Sequence, residues 1–490
     1  MKKKLAALLL GMLILLSACS PGNILTAKPD DSNSEPQPGA PQDDSSVQAD
    51  NTQPDDTQQG DTESGQDTQQ DELTTSGGQQ QAPITNPLLD PDRKANTQVK
   101  SSIDASGLIK DVTQADLADK TINLFVTDKP AFSYKDDDGK TVDEFGWLDS
   151  LKDSYKLNIK YRKVNSSGIM TYQNIAQKAG IALDLVQVSA SDFLTGLTVC
   201  KSIDDRINTD VIESMDGVSS RVFSLSENRL LSPKGVGLAL WYNKGLLSNS
   251  QLNELYTAGA WTFSAFEQLY SKVYANGQYL YETSSWLAWG AASGILPVAY
   301  AENEVVNNLD KGALKAAFNN LLNLNAMQNF VNTTDSSFLQ GKVAMSYGAA
   351  PVNTTNIDIG WMPIPKASAD GMYVLSFNGT SFGLPKNQSN PDNTQVALQF
   401  AHMWCNRYTE SFADSVLFDT KLSADDYKEY YTAVETLGQF ISGDQEIASI
   451  FNTKSKFNES LYNKEYNFEV ELQAASQLLD IHLNRLNNQL

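Results

Sequence analysis

The sequence predicts an α/β protein of two domains that follows a disordered N-terminal segment. Residues 20–100 are rich in Asp, Gln, Ser, Thr, Gly and Pro and contain no aromatic residue. Such a segment cannot bury enough apolar surface to offset the entropy lost on ordering. The remainder, residues 111–490, is too long for one ordinary core and suits two domains of moderate size. Its first part alternates between strand-like and helix-like patterns, which is typical of an α/β sheet.

Five consecutive segments predict the first domain. Residues 121–127, 157–161 and 182–188 alternate apolar and polar side chains and predict strands. Residues 144–156 and 171–180 space their apolar side chains three or four apart and predict helices. This alternation with short connections predicts a parallel sheet, and ligands of such sheets bind outside the carboxyl ends of the strands.

A second domain is predicted to begin near Gly235. Trp241, Trp261 and Trp361 lie in or beside its predicted elements, and we expect all three to be structural. The elements predicted from here to the C-terminus are strands at residues 236–242, 343–347, 359–363 and 379–385 and helices at residues 265–273, 313–327, 392–406 and 472–486.

The N-terminus has the layout of a secretory signal peptide over residues 1–18. Lys2 to Lys4 form a basic head, residues 5–16 are almost entirely apolar, and small residues precede Cys19. The apolar run is too short to span a bilayer as a stable helix. Residues 16–19 also resemble a bacterial lipobox, which implies cleavage before Cys19 and lipidation of its thiol. The alternative is an ordinary secreted protein with a chance cysteine at this position.

Charge argues against a nucleic-acid partner. The chain has a formal net charge of −22, and no basic stripe occurs along it. About half of this charge lies in the polar segment, which we interpret as a disordered acidic linker over residues 19–110. As a flexible coil such a linker spans about 50 Å, and repulsion between its carboxylates extends it further.

No motif predicts an enzyme, a cofactor or a metal centre. His402 and Cys405 are spaced to share one face of a helix, but no second pair of metal ligands lies nearby, and a buried apolar helix face accounts for them better. His482 has no suitable partner nearby in the sequence. Residues 379–383 match the Gly-x-Ser-x-Gly pattern of a nucleophile elbow, yet a strand and turn, rather than a helix, are predicted to follow. Cys200 and Cys405 could form a disulfide, although lone cysteines are more often buried small hydrophobes.

Several segments, taken in order, resemble the family 1 extracellular solute-binding proteins of ABC importers. These segments are residues 240–244 (LWYNK), 261–263 (WTF), 338–345 (FLQGKVAM), 360–365 (GWMPIP) and 378–384 (NGTSFGL). None is specific alone, and the resemblance rests on their order and spacing behind a lipobox.

The resemblance implies a two-lobed periplasmic-binding-protein-like fold of type II, with hinged lobes that close on a ligand. It implies an N-terminal lobe of residues 111–235 and 375–408 and a C-terminal lobe of residues 236–374 and 409–490. The hinge crossings are expected near residues 235–242, near residues 375–379, and close to the end of the helix that starts at Asp392.

A sugar site needs carboxylates and amides for the hydroxyls and flat aromatic rings for the apolar C–H faces. Asp128 and Asp192 follow predicted strands, although either could be a turn or N-cap residue. In the family, aromatic side chains from the corresponding regions reach the cleft. The ligand-binding residues are therefore expected to be Asp128, Asp192, Trp286, Trp289, Tyr347 and Asn378.

Both tryptophans, Trp286 and Trp289, could equally be core residues, because their spacing of three suits one face of a helix. Asn378 could instead satisfy a turn.

The sequence therefore predicts a lipoprotein on the extracellular face of the cell membrane, anchored through Cys19. It is expected to capture a small polar ligand, a sugar or oligosaccharide, and to deliver it to the permease subunits of an ABC importer. The alternatives are a surface lipoprotein that senses ligand for a signalling partner or adheres to an extracellular polymer, and a binder of a non-sugar solute.

Overall fold

The computed structural model describes most of the chain after residue 106. The described ranges are residues 107–208, 220–224, 228–274, 279–282, 286–301, 304–326, 330–331, 338–351, 357–377, 379–388, 390–420, 422–439 and 445–489. All of them belong to one compact unit, Gln80–Leu490. The predicted signal peptide, Cys19 and nearly all of the predicted linker lie outside the described residues.

The strands are β1 (Thr121–Thr127), β2 (Ser133–Lys135), β3 (Thr141–Asp143), β4 (Asn158–Val164), β5 (Val186–Val188), β6 (Ser220–Ser224), β7 (Asn228–Pro233), β8 (Gly237–Asn243), β9 (Tyr279–Glu282), β10 (Val298–Ala301), β11 (Glu304–Asn307), β12 (Phe330–Val331), β13 (Val343–Gly348), β14 (Ile359–Met362), β15 (Leu375–Phe377), β16 (Ser381–Gly383) and β17 (Gly438–Gln439).

The helices are α1 (Gln114–Leu117), α2 (Glu144–Tyr155), α3 (Ile169–Lys178), α4 (Phe193–Val199), α5 (Asn249–Thr257), α6 (Phe263–Tyr274), α7 (Trp286–Ala291), α8 (Gly312–Asn325), α9 (Thr394–Asp419), α10 (Ala424–Leu437), α11 (Gln445–Ser449), α12 (Phe457–Ser460) and α13 (Phe468–Asn487).

The first lobe is built on two groups of strands. β1 and β4 pair in parallel along their whole length, from Thr121 opposite Asn158 to Thr127 opposite Val164. A second group has the order β5-β16-β7-β6 and is antiparallel throughout. The prediction of a parallel sheet is therefore correct for β1 and β4. β5 instead pairs antiparallel with β16, which the chain forms after it has passed through the second lobe.

A glutamine side chain joins β5 to the helix beside it. The Gln173 carboxamide of α3 accepts a hydrogen bond from the Gln187 N–H (2.7 Å) and donates one to the Gln187 C=O (2.8 Å). These two bonds imitate a neighbouring strand and satisfy the backbone groups of a buried residue, which would otherwise cost free energy.

The second lobe is organised around β8. Its sheet has the order β12-β9-β13-β8-β15-β17, and β14 also pairs with β8. Tyr242 of β8 lies opposite Met345 of β13, and Leu238 lies opposite Ser376 of β15. All seven residues of β8 are buried or partly buried, because the strand has neighbours on both edges and on both faces. Trp241, Trp261 and Trp361 are buried, as expected of structural residues.

Three buried clusters stabilise the two lobes. The first-lobe core contains Leu124, Phe382 and Trp404, whose indole lies 4.9 Å from the Phe382 ring. The hinge core contains Trp361 and Tyr430. The shared core is the largest and takes residues from both lobes, among them Val186 and Val188 of β5, Leu240 of β8, Phe318 of α8 and Leu479 of α13.

The C-terminal helix α13 contacts both lobes. It packs on β11 of the second lobe and on α4 of the first lobe. Beyond its end, the backbone oxygen of Gln489 accepts a hydrogen bond from Lys386 Nζ (3.1 Å), which follows β16. The C-terminal residues, expected in the second lobe, thus also cover part of the first.

Three segments of the described chain pass between the lobes. Two are short and lie between β7 and β8 and between β15 and β16. The third is α9, whose first half joins the first-lobe core while Ala413 and Val416 join the hinge core. The sequence predicted that this helix ends at residue 406, but it continues to Asp419. Its polar residues do not end it, because Arg407 pairs with Glu410 (3.3 Å) and lies over the Tyr134 ring.

Tyrosines of α10 fix the first crossing. The Tyr430 hydroxyl donates to the Gly237 C=O (2.8 Å) and accepts from the Gly237 N–H (3.0 Å). The Tyr431 ring lies against Gly235, which has a positive φ of 66°. The buried hydroxyls of Ser232 and Ser381 lie 2.5 Å apart and join the first crossing to the second.

Among the described residues, no helix is both long and apolar enough to span a membrane.

We expect Gly235→Ala to destabilise the protein strongly. The substitution forces alanine into a left-handed conformation and pushes its Cβ into the Tyr431 ring. Gly259→Ala is the matched control, because Gly259 has a φ of 69° and open space around it. Urea unfolding should give a free energy of unfolding about 1–3 kcal/mol lower for Gly235→Ala than for Gly259→Ala. Equal values would contradict the packing described for this crossing.

Candidate ligand-binding cleft

The carboxyl ends of β1 and β5 define one edge of the first lobe. The Asp184 N–H donates to the Asn123 C=O (2.9 Å), so the starts of both strands lie together and their ends lie at the opposite edge. Asp128 follows β1 at this edge and is exposed, and its N–H donates to the Val164 C=O (2.7 Å). Its carboxylate is therefore on a fixed backbone and accessible to solvent.

Asp192 lies at the end of the turn that follows β5. The turn is a short 3-10 segment in which the Asp192 N–H donates to the Ser189 C=O (3.0 Å). The Ser189 hydroxyl donates to Asp192 Oδ2 (2.8 Å), and the residue is 8% exposed. Asp192 precedes α4 but makes no capping hydrogen bond with its side chain. The Asp192 carboxylate therefore does not cap α4, which was one of the alternatives from the sequence.

Tyr347 lies at the base of the second lobe, near the crossings. Its hydroxyl donates to Ser376 Oγ (3.0 Å), and Ser376 lies opposite Leu238 at the start of β8. Only 8% of Tyr347 is exposed, and burial raises the pKa of its hydroxyl. The phenol is therefore a neutral donor that links β13 to β15.

Trp289 is a core residue in this conformation. It is fully buried, and its ring centroid lies 5.3 Å from that of Phe263 and 5.2 Å from that of Phe266. A ring enclosed in this way cannot stack on a ligand unless the aromatic cluster unpacks. In this structure Trp289 is therefore a core residue and not an aromatic platform for a ligand. Trp286 is the first residue of α7, but its side chain is outside the described part of the chain, as is the whole of Asn378.

Two polar residues that were not among the predicted ligand-binding residues are buried at the hinge. His402 of α9 is 1% exposed, and Lys234 of the first crossing is 3% exposed. Burial, assisted by the charge of Lys234, lowers the pKa of His402 to about 4. The histidine is therefore neutral at pH 7. Its ring nitrogen Nε2 lies 3.4 Å from the Asn406 carboxamide nitrogen.

The Gly-x-Ser-x-Gly pattern, the candidate metal ligands and the two cysteines each have a defined place in the described residues. Ser381 lies inside β16 with its hydroxyl against Ser232, and the next α-helix begins only at Thr394, so the Gly-x-Ser-x-Gly pattern is not an elbow. Within the described ranges, no group of three His, Cys, Asp or Glu residues could hold a metal ion. Cys200 and Cys405 are both buried and form no disulfide with each other, and burial raises the pKa of Cys200 to about 12.

A sequence profile of bacterial extracellular solute-binding proteins matches residues 152–404, just over half of the 490 residues. The protein therefore belongs to this family of binding proteins, as the resemblance of its segments predicted. No curated protein matches the sequence.

Two solved structures have a similar fold. One is the galacto-N-biose-/lacto-N-biose I-binding protein of the ABC transporter from Bifidobacterium longum in complex with lacto-N-biose, with 13% identity, a TM-score of 0.51, and coverage of 75% of this chain and 97% of that one. The other is a cyclo/maltodextrin-binding protein complexed with maltotetraose, with 14% identity, a TM-score of 0.53, and coverage of 74% and 97%. The predicted two-lobed α/β fold is confirmed by this likeness.

We expect His402 to make the protein less stable in acid. Because its pKa is lower in the folded state than the ordinary value of 6.5, its contribution is complete above pH 6.5 and is lost as the pH falls towards 4. The free energy of unfolding should fall by about 3 kcal/mol over this range from His402 alone.

The variant His402→Gln should remove this part of the pH dependence in urea unfolding at pH 7 and pH 4.5. His482→Gln, at the only other histidine of the chain, is the control. A pH dependence unchanged in His402→Gln would contradict the placement of an uncharged imidazole in the hinge.

Proposed function

We propose that the protein is a lipid-anchored extracellular solute-binding protein that captures a sugar or oligosaccharide between its lobes and delivers it to an ABC importer. The observation that carries this proposal is the family match, which extends over both lobes and includes the two short crossings. Two lobes joined only at a hinge can bind a ligand tightly in the closed state, because some contacts form only on closure.

A carbohydrate is the favoured ligand because of the groups at the first-lobe edge. Asp128 and Asp192 provide carboxylates, which accept hydrogen bonds from hydroxyl groups. The proteins of similar fold were solved with lacto-N-biose and maltotetraose, which supports the same class of ligand here. In this proposal Asp192 contacts the ligand, oriented by Ser189. Asp128 and Tyr347 line the cleft, and Trp286 and Asn378 are added from the sequence alone.

Membrane attachment is proposed through Cys19. A single acyl chain holds a protein only weakly, so stable attachment needs several chains on this one residue. The acidic linker would then place the lobes at a distance from the membrane surface, because most charged side chains of residues 19–110 are carboxylates that repel one another. The delivery partner is the permease of an ABC importer.

A thermal-melt screen tests the ligand class. The chain from Ser20 to Leu490 would be screened against mono- and oligosaccharides, amino acids and polyamines. A ligand at a hundredfold excess over its Kd adds about 2.7 kcal/mol of stability, which raises the Tm by a few degrees. We expect a saccharide to give this shift, and Asp192→Asn to reduce it. The control is Asp153→Asn on the exposed surface of α2. A shift from a non-sugar alone would contradict the carbohydrate proposal.

Replacement of Cys19 tests the anchor. We expect the full-length wild-type protein to sediment with membranes, to dissolve only in detergent and to incorporate labelled palmitate in cells. Cys19→Ser should abolish the label and release the protein from membranes, because the thiol is the site of lipidation. Cys200→Ser, at a buried cysteine, is the control. Equal labelling of Cys19→Ser and wild type would refute the anchor.

A further inference from the structure

Among the described residues, one buried carboxamide close to the carboxyl end of β5 has no hydrogen-bond partner. Gln187, the central residue of β5, is 1% exposed. Its side-chain atoms Nε2 and Oε1 are both buried, and neither forms a hydrogen bond within the part of the chain that the structure describes. Buried polar groups in native proteins nearly always have partners, so an amide with both atoms unsatisfied indicates that a group is missing from the site.

The backbone of Gln187 is fixed, so the side chain has little freedom to find a partner elsewhere. Gln173 occupies both backbone groups of the residue on one edge of β5. On the other edge Gln187 lies opposite Phe382 of β16. Its position is therefore determined by hydrogen bonds on one side and by strand pairing on the other.

The alternation of the strand gives the direction of the side chain. Val186 and Val188 point into the shared core, whereas Phe382, which lies directly opposite Gln187, belongs to the first-lobe core. Gln187 therefore leaves the sheet on the Phe382 face. Ser189 is extended and follows two residues later, so it leaves on the same face one step nearer the carboxyl edge. The carboxamide thus lies one step below the hydroxyl that holds Asp192.

We infer that Gln187 is a specificity-determining residue that forms the floor of the ligand site. On this inference, which rests on the proposed function, a hydroxyl of the saccharide reaches the carboxamide when the Ser189–Asp192 turn moves on binding. A carboxamide supplies an acceptor and two donors, which suits a hydroxyl that both donates and accepts. A site built to hydrogen-bond one hydroxyl discriminates strongly against a sugar that lacks it.

Other unsatisfied amides serve as a comparison. Gln177 has an unpartnered Nε2 and lies in the last turn of α3. Because α3 begins after the end of β4 and runs back along the sheet, this turn is distant from the carboxyl ends of β1 and β5. Gln388 also has an unpartnered Nε2, while its Oε1 accepts from Lys201 and Thr394. Among these three glutamines, only Gln187 has both atoms of its amide buried and without a hydrogen-bond partner in the described residues.

The test combines stability with affinity in the chain from Ser20 to Leu490. Gln187→Met keeps the shape of the side chain and removes its polar atoms. We expect the ligand-free variant to melt at the wild-type Tm or above it, because an unsatisfied amide is removed. Its Kd for the saccharide that gives the largest shift with wild type should be about tenfold weaker by calorimetric titration. Gln177→Met is the matched control and should bind like wild type.

Three results would overturn the inference. A Kd within twofold of wild type for Gln187→Met would refute the role of the amide and leave the proposed function intact. A wild-type protein that binds no saccharide would refute the proposed function and this inference together. If Gln187→Met does not fold, a crystal structure of wild type with the saccharide decides. A ligand oxygen about 3 Å from the Gln187 amide supports the inference, and an ordered water alone at that place refutes it.

Discussion

The hinge is the constraint on which the rest of the structure depends. The chain must leave the first lobe after β7 and enter the second as its central strand β8. At this crossing the Tyr431 ring leaves no room for a side chain at Gly235, and Val434 and the Ser376 C=O leave little at Gly237. The Tyr430 hydroxyl donates to the Gly237 C=O and accepts from its N–H, and Gly237 also pairs with Phe377 of β15. The first crossing is therefore held by contacts with α10.

The first-lobe edge combines fixed backbone with incompletely satisfied side chains. Ser189 orients the Asp192 carboxylate, and Gln173 holds the backbone of β5. Hydrogen bonds of this kind fix side chains before a ligand arrives, which reduces the entropy lost on binding. The carboxamide of Gln187 is the exception, since its own backbone is held but its side chain is not. An amide without hydrogen-bond partners at this position lowers the stability of the ligand-free protein relative to the ligand-bound protein.

The sequence predicted the elements that have a regular period and missed what depends on long-range contact. Residues 121–127 form β1 as expected, because their alternation matches the two faces of the sheet. Trp289 could not be assigned from spacing, since an interval of three fits a helix face in the core as well as an aromatic platform. The Ser232–Ser381 contact and the proximity of His402 to Lys234 join residues far apart in the chain, and no local pattern indicates either.

The central claim is that two lobes close on a captured sugar, and a distance between the lobes tests it most directly. Spin labels at Lys178→Cys on α3 and Thr257→Cys on α5 lie at exposed positions, while Cys200 and Cys405 are buried. Double electron–electron resonance should show a distribution that shifts to shorter distances on addition of the saccharide and stays unchanged with a sugar that does not bind. If calorimetry shows that the ligand is bound at saturation and the distance distribution is still unchanged, the protein does not close about a hinge and the account is contradicted.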